Sequence, residues 1–164
     1  MREKRKKIAK EIEDDLLGHL RELRLVNTTF NIVFNEINID EQDFLHIQKF
    51  FDTGLDTVDF HVSFNLGEPE KPLSKVISGG ELSRFMLGLK NILIERQNLS
   101  TMIFDEIDSG VSGITASAIA KKLKNISRNT QVLCITHLPQ VGAISDYHYY
   151  IKKSEENNST FSDV

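Results

Sequence analysis

A single cysteine, Cys134, occurs in the 164 residues. That excludes a disulfide framework and a cysteine-rich zinc site, and it leads us to expect a reducing, cytoplasmic setting. No apolar run approaches the ~18 residues of a membrane span, and the first residues lack the apolar stretch of a signal peptide. An excess of positive charge is missing too. With a net charge of −4, nonspecific DNA binding cannot rest on overall charge and would need a local basic face. Finally, no G-x-x-x-x-G-K-[ST] occurs, and no glycine is followed by lysine. The loop that would cradle the β- and γ-phosphates of a nucleotide is absent from this sequence.

What is present suits one soluble domain with a real core: 40% hydrophobic and 27% charged residues. Both ends read as cut. Residues 1–24 read as a helix without a preceding partner, and residues 147–153 (YHYYIKK) as a strand running into a polar tail, 154–164. The chain is therefore expected to be a piece of something longer.

In the first segment Ile8, Ile12, Leu16, Leu20 and Leu23 recur at spacings of four and three, one stripe of a helix set among charges of both signs. An amphipathic surface helix and the end of a coiled-coil arm fit this spacing equally, because fewer than four heptads are visible. The basic run Arg2–Lys7 reads as a solvated face, with phosphate contact as the alternative. Two period-two segments follow: Phe30, Ile32 and Phe34, then Val58, Phe60, Val62, Phe64 and Leu66. They predict half-buried, antiparallel strands. Between them, Phe44, Ile47 and Phe51 suit a short helix or ordered loop, and residues 67–73 (GEPEKPL) a punctuated loop.

From residue 77 the pattern becomes α/β. Leu82, Phe85, Met86, Leu89 and Leu93 predict an amphipathic helix, residues 102–104 (MIF) a short strand, Ala116, Ile119, Ala120, Leu123 and Ile126 a second helix, and residues 132–136 (VLCIT) a second strand. Continuous apolar strands separated by a helix imply a parallel sheet covered by helices. Ligand sites in such sheets lie at the carboxyl ends of the strands.

Three polar clusters carry the chemistry. Ser78-Gly79-Gly80-Glu81 has the S-x-x-E form of a capping box, with Ile77 and Leu82 placed as its hydrophobic staple. A cap does not need two glycines in the first turn, where each costs roughly 1 kcal/mol against Ala. Their use is to let an anion or another backbone approach bare N–H groups at the positive end of the helix. Asp105-Glu106 follows the MIF strand. Adjacent carboxylates repel, and a divalent cation relieves that: one acid can hold Mg²⁺, directly or through water, while the other orients an attacking water. Loop carboxylates, one of them capping the next helix, are the plainer alternative. Thr136-His137 ends the second strand before Leu138-Pro139, where Pro139 can open a helix. A histidine at a strand tip is usually structural, although this position also suits a phosphate contact. Cys134 reads as an inert core residue, and His19, His46, His61 and His148 have no evident role.

In this order, ISGGELSR, TMIFDEID, SGVSG and CITHLPQVGA resemble the signature motif, Walker B, D-loop and switch histidine of ABC-type ATPases. The ordered set over residues 77–143 is specific, and GEPEKPL, FDEIDSGVSG and QVLCITHLPQV resemble the RecN-like branch of SMC-related ATPases rather than transporters. The resemblance extends over residues 1 to about 153, loosely before residue 55. It implies an α/β fold, the C-terminal lobe of an ABC/SMC-type P-loop ATPase head, with a parallel sheet flanked by helices, an antiparallel strand pair and an N-terminal coiled-coil helix. Residues 1–24 would end a coiled-coil arm, residues 25–153 would form the lobe, and residues 154–164 a polar tail.

The same resemblance implies an ATPase acting in bacterial DNA double-strand break repair and recombination, nucleoid-associated and not membrane-bound. Its partners would be its own N-terminal lobe (Walker A and Q-loop), a second head engaged through ATP, and DNA. Asp105 would support Mg²⁺, Glu106 would polarise the attacking water, and His137 would contact the γ-phosphate. Ser78, Gly79, Gly80 and Glu81 would bind the ATP held by the opposing head. Ser112 stands where the D-loop usually closes on Asp, so the resemblance gives Asp108 no such role. The competing readings are the head lobe of another SMC-like or ABC ATPase, and a dimerisation module without hydrolysis. The Asp105-Glu106 pair and His137 speak against the second.

Overall fold

The computed structural model describes residues 2–36, 56–105, 107–108, 110–156 and 159–163. The stripe of apolar residues at the N-terminus forms α1 (Arg2–Glu22), which buries Ala9, Glu13, Leu16 and Leu20. Only the later half of the stripe is covered: Ile8 stays 47% exposed, while Leu16, Leu20 and Leu23 are fully buried. Arg24 ends the helix in the left-handed region at φ 65°. Its start is tied down by Arg2, whose Nε and Nη2 reach both carboxylate oxygens of Asp56 at 3.0 and 2.6 Å.

The two alternating segments pair as expected. β1 (Thr29–Glu36) runs antiparallel to β2 (Asp56–Ser63), with Phe30 opposite Val62, Ile32 opposite Phe60 and Phe34 opposite Val58. β2 stops at Ser63, so Leu66 of the alternating pattern lies beyond it and is exposed. Within the expected loop, β3 (Lys71–Pro72) adds a two-residue third strand beside β2, and a short 3-10 turn follows at Leu73–Lys75. The backbone N–H of Ile32 donates to Glu13 Oε1 at 2.8 Å, fastening the sheet to α1. Phe44, Ile47, Phe51 and His46 lie outside the described residues.

α2 (Gly79–Gln97) is the middle of the molecule. It contributes Phe85 and Ile92 to a core shared with Leu16, Leu20, Phe30 and Val62, and Leu87 and Ile94 to a second core. Burial on two sides turns the helix from the single face its sequence suggests: Met86 and Leu93 point outward, and Phe85, Leu87, Gly88, Asn91, Ile92 and Ile94 are covered. α1 packs closely over Gly88. A Cβ there would stand 3.1 Å from Leu16 Cδ1 and 3.3 Å from Leu20 Cδ2.

The second core belongs to the parallel pair. β4 (Thr101–Asp105) and β5 (Gln131–Ile135) are joined through α3 (Gly113–Ile126), and α4 (Pro139–Gly142) follows with Pro139 in its first turn. All five apolar residues expected on α3, Ala116, Ile119, Ala120, Leu123 and Ile126, are buried. Phe104 meets them, and Met102, Val132 and Cys134 pack against this core. The parallel pair and its helices are as expected, and among the described residues the helices lie on one face of it. On the opposite face Ile103, Leu133 and Ile135 are 58, 47 and 56% exposed. The reason is that α2, α3 and α4 all supply the core on the Phe104 side.

The C-terminal stretch departs from expectation. Tyr147, Tyr149 and Tyr150 are exposed and precede the strand, which begins only at Lys152 as β6 (Lys152–Glu156). The expected polar tail contains β7 (Ser159–Asp163), antiparallel to β6.

Candidate functional site

β4 and β5 run in one direction and in register, Asp105 beside Ile135. Asp105 is the last residue of its strand, and Thr136-His137 are the first two residues past the other. The two strand-end clusters of the sequence therefore leave the same edge of one sheet. The Asp105 side chain is exposed, with no hydrogen bond or ion pair among the described residues. A carboxylate can contribute one ligand to Mg²⁺, which is typically bound through one or two carboxylates while phosphates and water fill its remaining positions. Among the described residues no three His, Cys, Asp or Glu side chains gather to hold a metal. Glu106 lies outside the described residues.

After Asp105 the chain turns inward. Ile107 and Asp108 are 5 and 1% exposed. Gly110 and Gly113, at φ 67° and 56°, supply the left-handed turns that lead into α3. Ser112 occupies the N-cap position of α3 without a side-chain hydrogen bond.

Asp108 is the residue that sequence reasoning left without a role. Its Oδ2 accepts a hydrogen bond from the Thr136 hydroxyl and another, at 3.1 Å, from the backbone N–H of His137. Thr136 Oγ1 in turn accepts from the Leu138 N–H at 3.1 Å. Burial pushes the Asp108 carboxyl up, but these hydrogen bonds outweigh it and hold the group below the usual carboxylate range. His137 itself projects outward, its side chain 73% exposed. Cys134 is half-buried against the core, and burial, then the charges of Asp108 and Asp105, push its thiol up to about 11.

At the other cluster, Ser78 is the N-cap residue of α2, and its C=O accepts the first helical bond from the Leu82 N–H at 3.0 Å. The expected capping box does not form, because the Ser78 side chain makes no cap hydrogen bond. The staple is absent as well: Ile77 is 98% exposed. The first-turn N–H groups of Gly79, Gly80 and Glu81 thus have no side-chain cap at the positive end of a 19-residue helix. Arg84, one turn on, faces the other way. Its Nε donates to Gly80 O at 3.0 Å and its Nη1 to Leu23 O at 3.2 Å, binding this end of α2 to the end of α1.

A second unforeseen group joins α1, α2 and α3. Lys122 is 7% exposed, with Nζ 2.7 Å from His19 Nδ1 and 2.8 Å from Glu22 Oε2. An ammonium only donates, so His19 Nδ1 accepts from Lys122, and Nε2 lies 3.0 Å from Asn91 Nδ2, which donates to Glu95 Oε1. The signal was present in sequence as a lysine on the apolar face of α3, between Ile119 and Leu123.

No family model matches the chain. It is 46% identical over 160 residues to the DNA repair protein RecN of Halalkalibacterium halodurans, covering 98% of this chain and 27% of the relative. It is 44% identical over 165 residues to the DNA repair protein RecN of Bacillus subtilis, covering 98% of this chain and 29% of the relative. The chain thus spans less than a third of the length of these curated relatives. Among solved structures it resembles the Smc head domain with a coiled coil and joint from Pyrococcus yayanosii, at TM-score 0.65 and 18% identity, over 97% of this chain and 27% of that one. At that identity the likeness speaks for the fold.

Proposed function

The chain matches the C-terminal part of RecN, and we propose that it is the C-terminal lobe of an ATPase head in a DNA-repair protein of that kind. One observation carries this reading: Asp105 ends one strand of a parallel pair opposite Ile135, and His137 follows two residues later at the same carboxyl edge. Phosphoryl transfer asks for little covalent chemistry from a protein and much positioning. Asp105 would hold Mg²⁺, which supplies charge neutralisation at the phosphates when bound. Glu106 would align and deprotonate the attacking water. His137 would donate to the terminal phosphate. The uncapped start of α2, with Ser78, Gly79, Gly80 and Glu81, would receive the phosphates of a nucleotide held by a second head.

Half of such a site must come from elsewhere, because no phosphate-cradling loop occurs in this sequence. In our reading an N-terminal lobe brings it and covers the bare apolar face of Ile103, Leu133 and Ile135. The relatives' additional length leaves room for that lobe. α1 would then be the end of a coiled-coil arm joining the two lobes, and DNA the partner that the full protein acts on, through ATP-driven pairing of heads.

The test compares two proteins. By calorimetry, this chain alone should show no tight ATP binding, and the protein that includes the N-terminal lobe should bind and hydrolyse Mg²⁺-ATP, faster with DNA. Tight stoichiometric binding by the chain alone would overturn the missing half, and absence of hydrolysis by the longer protein would overturn the ATPase.

A further inference from the structure

We propose that Asp108 is a positioning residue for His137, its buried carboxylate fixing the strand end from which the imidazole projects. The proposal rests on the reading above, in which His137 meets a terminal phosphate, and it adds what holds the histidine in place. A carboxylate that is 1% exposed is costly to bury unless its charge is used. Neutral acceptors would serve the Thr136 hydroxyl and the His137 N–H as well as Asp108 does. What a neutral residue would lack is the charge beside the ring: His137 Nδ1 lies 3.5 Å from the same Oδ2 that binds its backbone. One oxygen thus gathers the hydroxyl of residue 136, the N–H of residue 137 and the near side of the imidazole.

The consequences are geometric first. Three consecutive residues are pinned, because Thr136 Oγ1 passes the contact on to the Leu138 N–H. A histidine whose side chain is 73% exposed would otherwise be free to sample several rotamers. With Nδ1 on the side of the carboxylate, Nε2 is the nitrogen left for a ligand. Asp108 also sits in the segment between β4 and α3, three residues after Asp105. The metal-side strand and the histidine-side strand are therefore locked together at their ends through one side chain.

The experiment uses the full-length protein and four forms: parent, Asp108→Asn, His137→Ala and the double variant. Partners that orient metal-ligating histidines typically contribute about 10- to 100-fold to affinity or activity, and the same order is expected of the partner that orients His137. Asp108→Asn should accordingly lower kcat at least about tenfold and leave KM for ATP within about twofold. The double variant should hydrolyse no more slowly than His137→Ala, within about twofold, because Asp108 acts through that ring. Full additivity in the double variant, or a loss of ATP affinity in Asp108→Asn, would assign Asp108 to general folding and overturn the proposal. Parent-like hydrolysis by His137→Ala would remove the role of His137 itself, and Asp108's with it. If Asp108→Asn yields no folded protein, Thr136→Val carries the comparison: a kcat-only loss supports the clamp, and unchanged kcat overturns it.

Discussion

Lys122 Nζ lies 2.7 Å from Nδ1 of His19, a buried ammonium against a ring 103 residues away in sequence. The contact joins α3 to α1, with Glu22 on the first helix and Asn91 and Glu95 on α2 completing the joint. It holds only while the ring is neutral, since a proton on Nδ1 would oppose two cations. Burial, then the Lys122 charge, push the His19 pKa down from its ordinary value of 6.5, while Glu95, Glu22 and Asp15 pull it up. The unfolded chain therefore takes up this proton first on acidification. Stability from the joint is complete above about pH 6.5 and is lost as pH falls through the depressed value. Urea midpoints should drop between about pH 7.5 and about pH 5.5, and His19→Gln should flatten that drop. An unchanged slope in the variant would show that other groups set it.

Gly88 sets how closely α1 and α2 pack. Alanine gains roughly 1 kcal/mol of helix preference over glycine, but its Cβ would press on Leu16 and Leu20 at 3.1 and 3.3 Å. Both neighbours are side-chain methyl groups that can give by a few tenths of an ångström, so Gly88→Ala should change stability by less than about 1 kcal/mol. Gly88→Val adds two more carbons at the contact and stiffens the helix, and should cost about 1–3 kcal/mol. Denaturant melts of the two variants check this; equal stability would mean that the helices separate freely.

The contrast between α3 and α2 shows how far patterning reaches. On α3 one face meets one core, and its five apolar residues are all buried as their spacing predicts. α2 lies between two cores, so a single-stripe reading misplaced Met86 and Leu93, which are exposed. The strand ends were legible because continuous apolar runs end abruptly in Asp105 and in Thr136-His137. Sequence could not reveal the partnership of Asp108 with Thr136, which spans 28 residues and depends on parallel pairing in one register. The capping box failed for a related reason: S-x-x-E records which bonds are available, and the Ser78 rotamer decides whether they form.

Ser78 tests the role in the second head. In the full-length protein, Ser78→Arg should leave ATP binding to each head nearly intact and abolish ATP-driven pairing of heads. Ser78 is exposed and makes no side-chain cap bond, so little folded structure depends on its hydroxyl. An arginine there fills the space before the uncapped N–H groups and opposes the positive end of the helix, which costs about 0.3–1 kcal/mol in itself. Light-scattering mass in Mg²⁺-ATP measures the outcome, and normal pairing by the variant would rule out this use of the helix start.

The two neighbouring carboxylates should fail in different ways. Glu106→Gln keeps the side chain's size and leaves Asp105 to hold Mg²⁺, so nucleotide binding should survive. In the proposed reading, what is lost is the group that aligns water and accepts its proton, a contribution typically of ~10²–10⁴-fold. Hydrolysis should fall by about that factor, and the paired state of two heads should accumulate in ATP because it forms but cannot be discharged. Asp105→Asn acts earlier. Asp105 ends β4 beside Ile135, exposed and without another partner among the described residues. Its amide would weaken the proposed metal site before any chemistry begins. Mg²⁺-dependent affinity should fall, and fewer paired heads should form. Single-turnover hydrolysis together with light-scattering mass, measured for both variants of the full-length protein, separates the two patterns. Parent-rate hydrolysis by Glu106→Gln, or identical behaviour of the pair, would end this division of labour and return both acids to the plainer role of loop carboxylates.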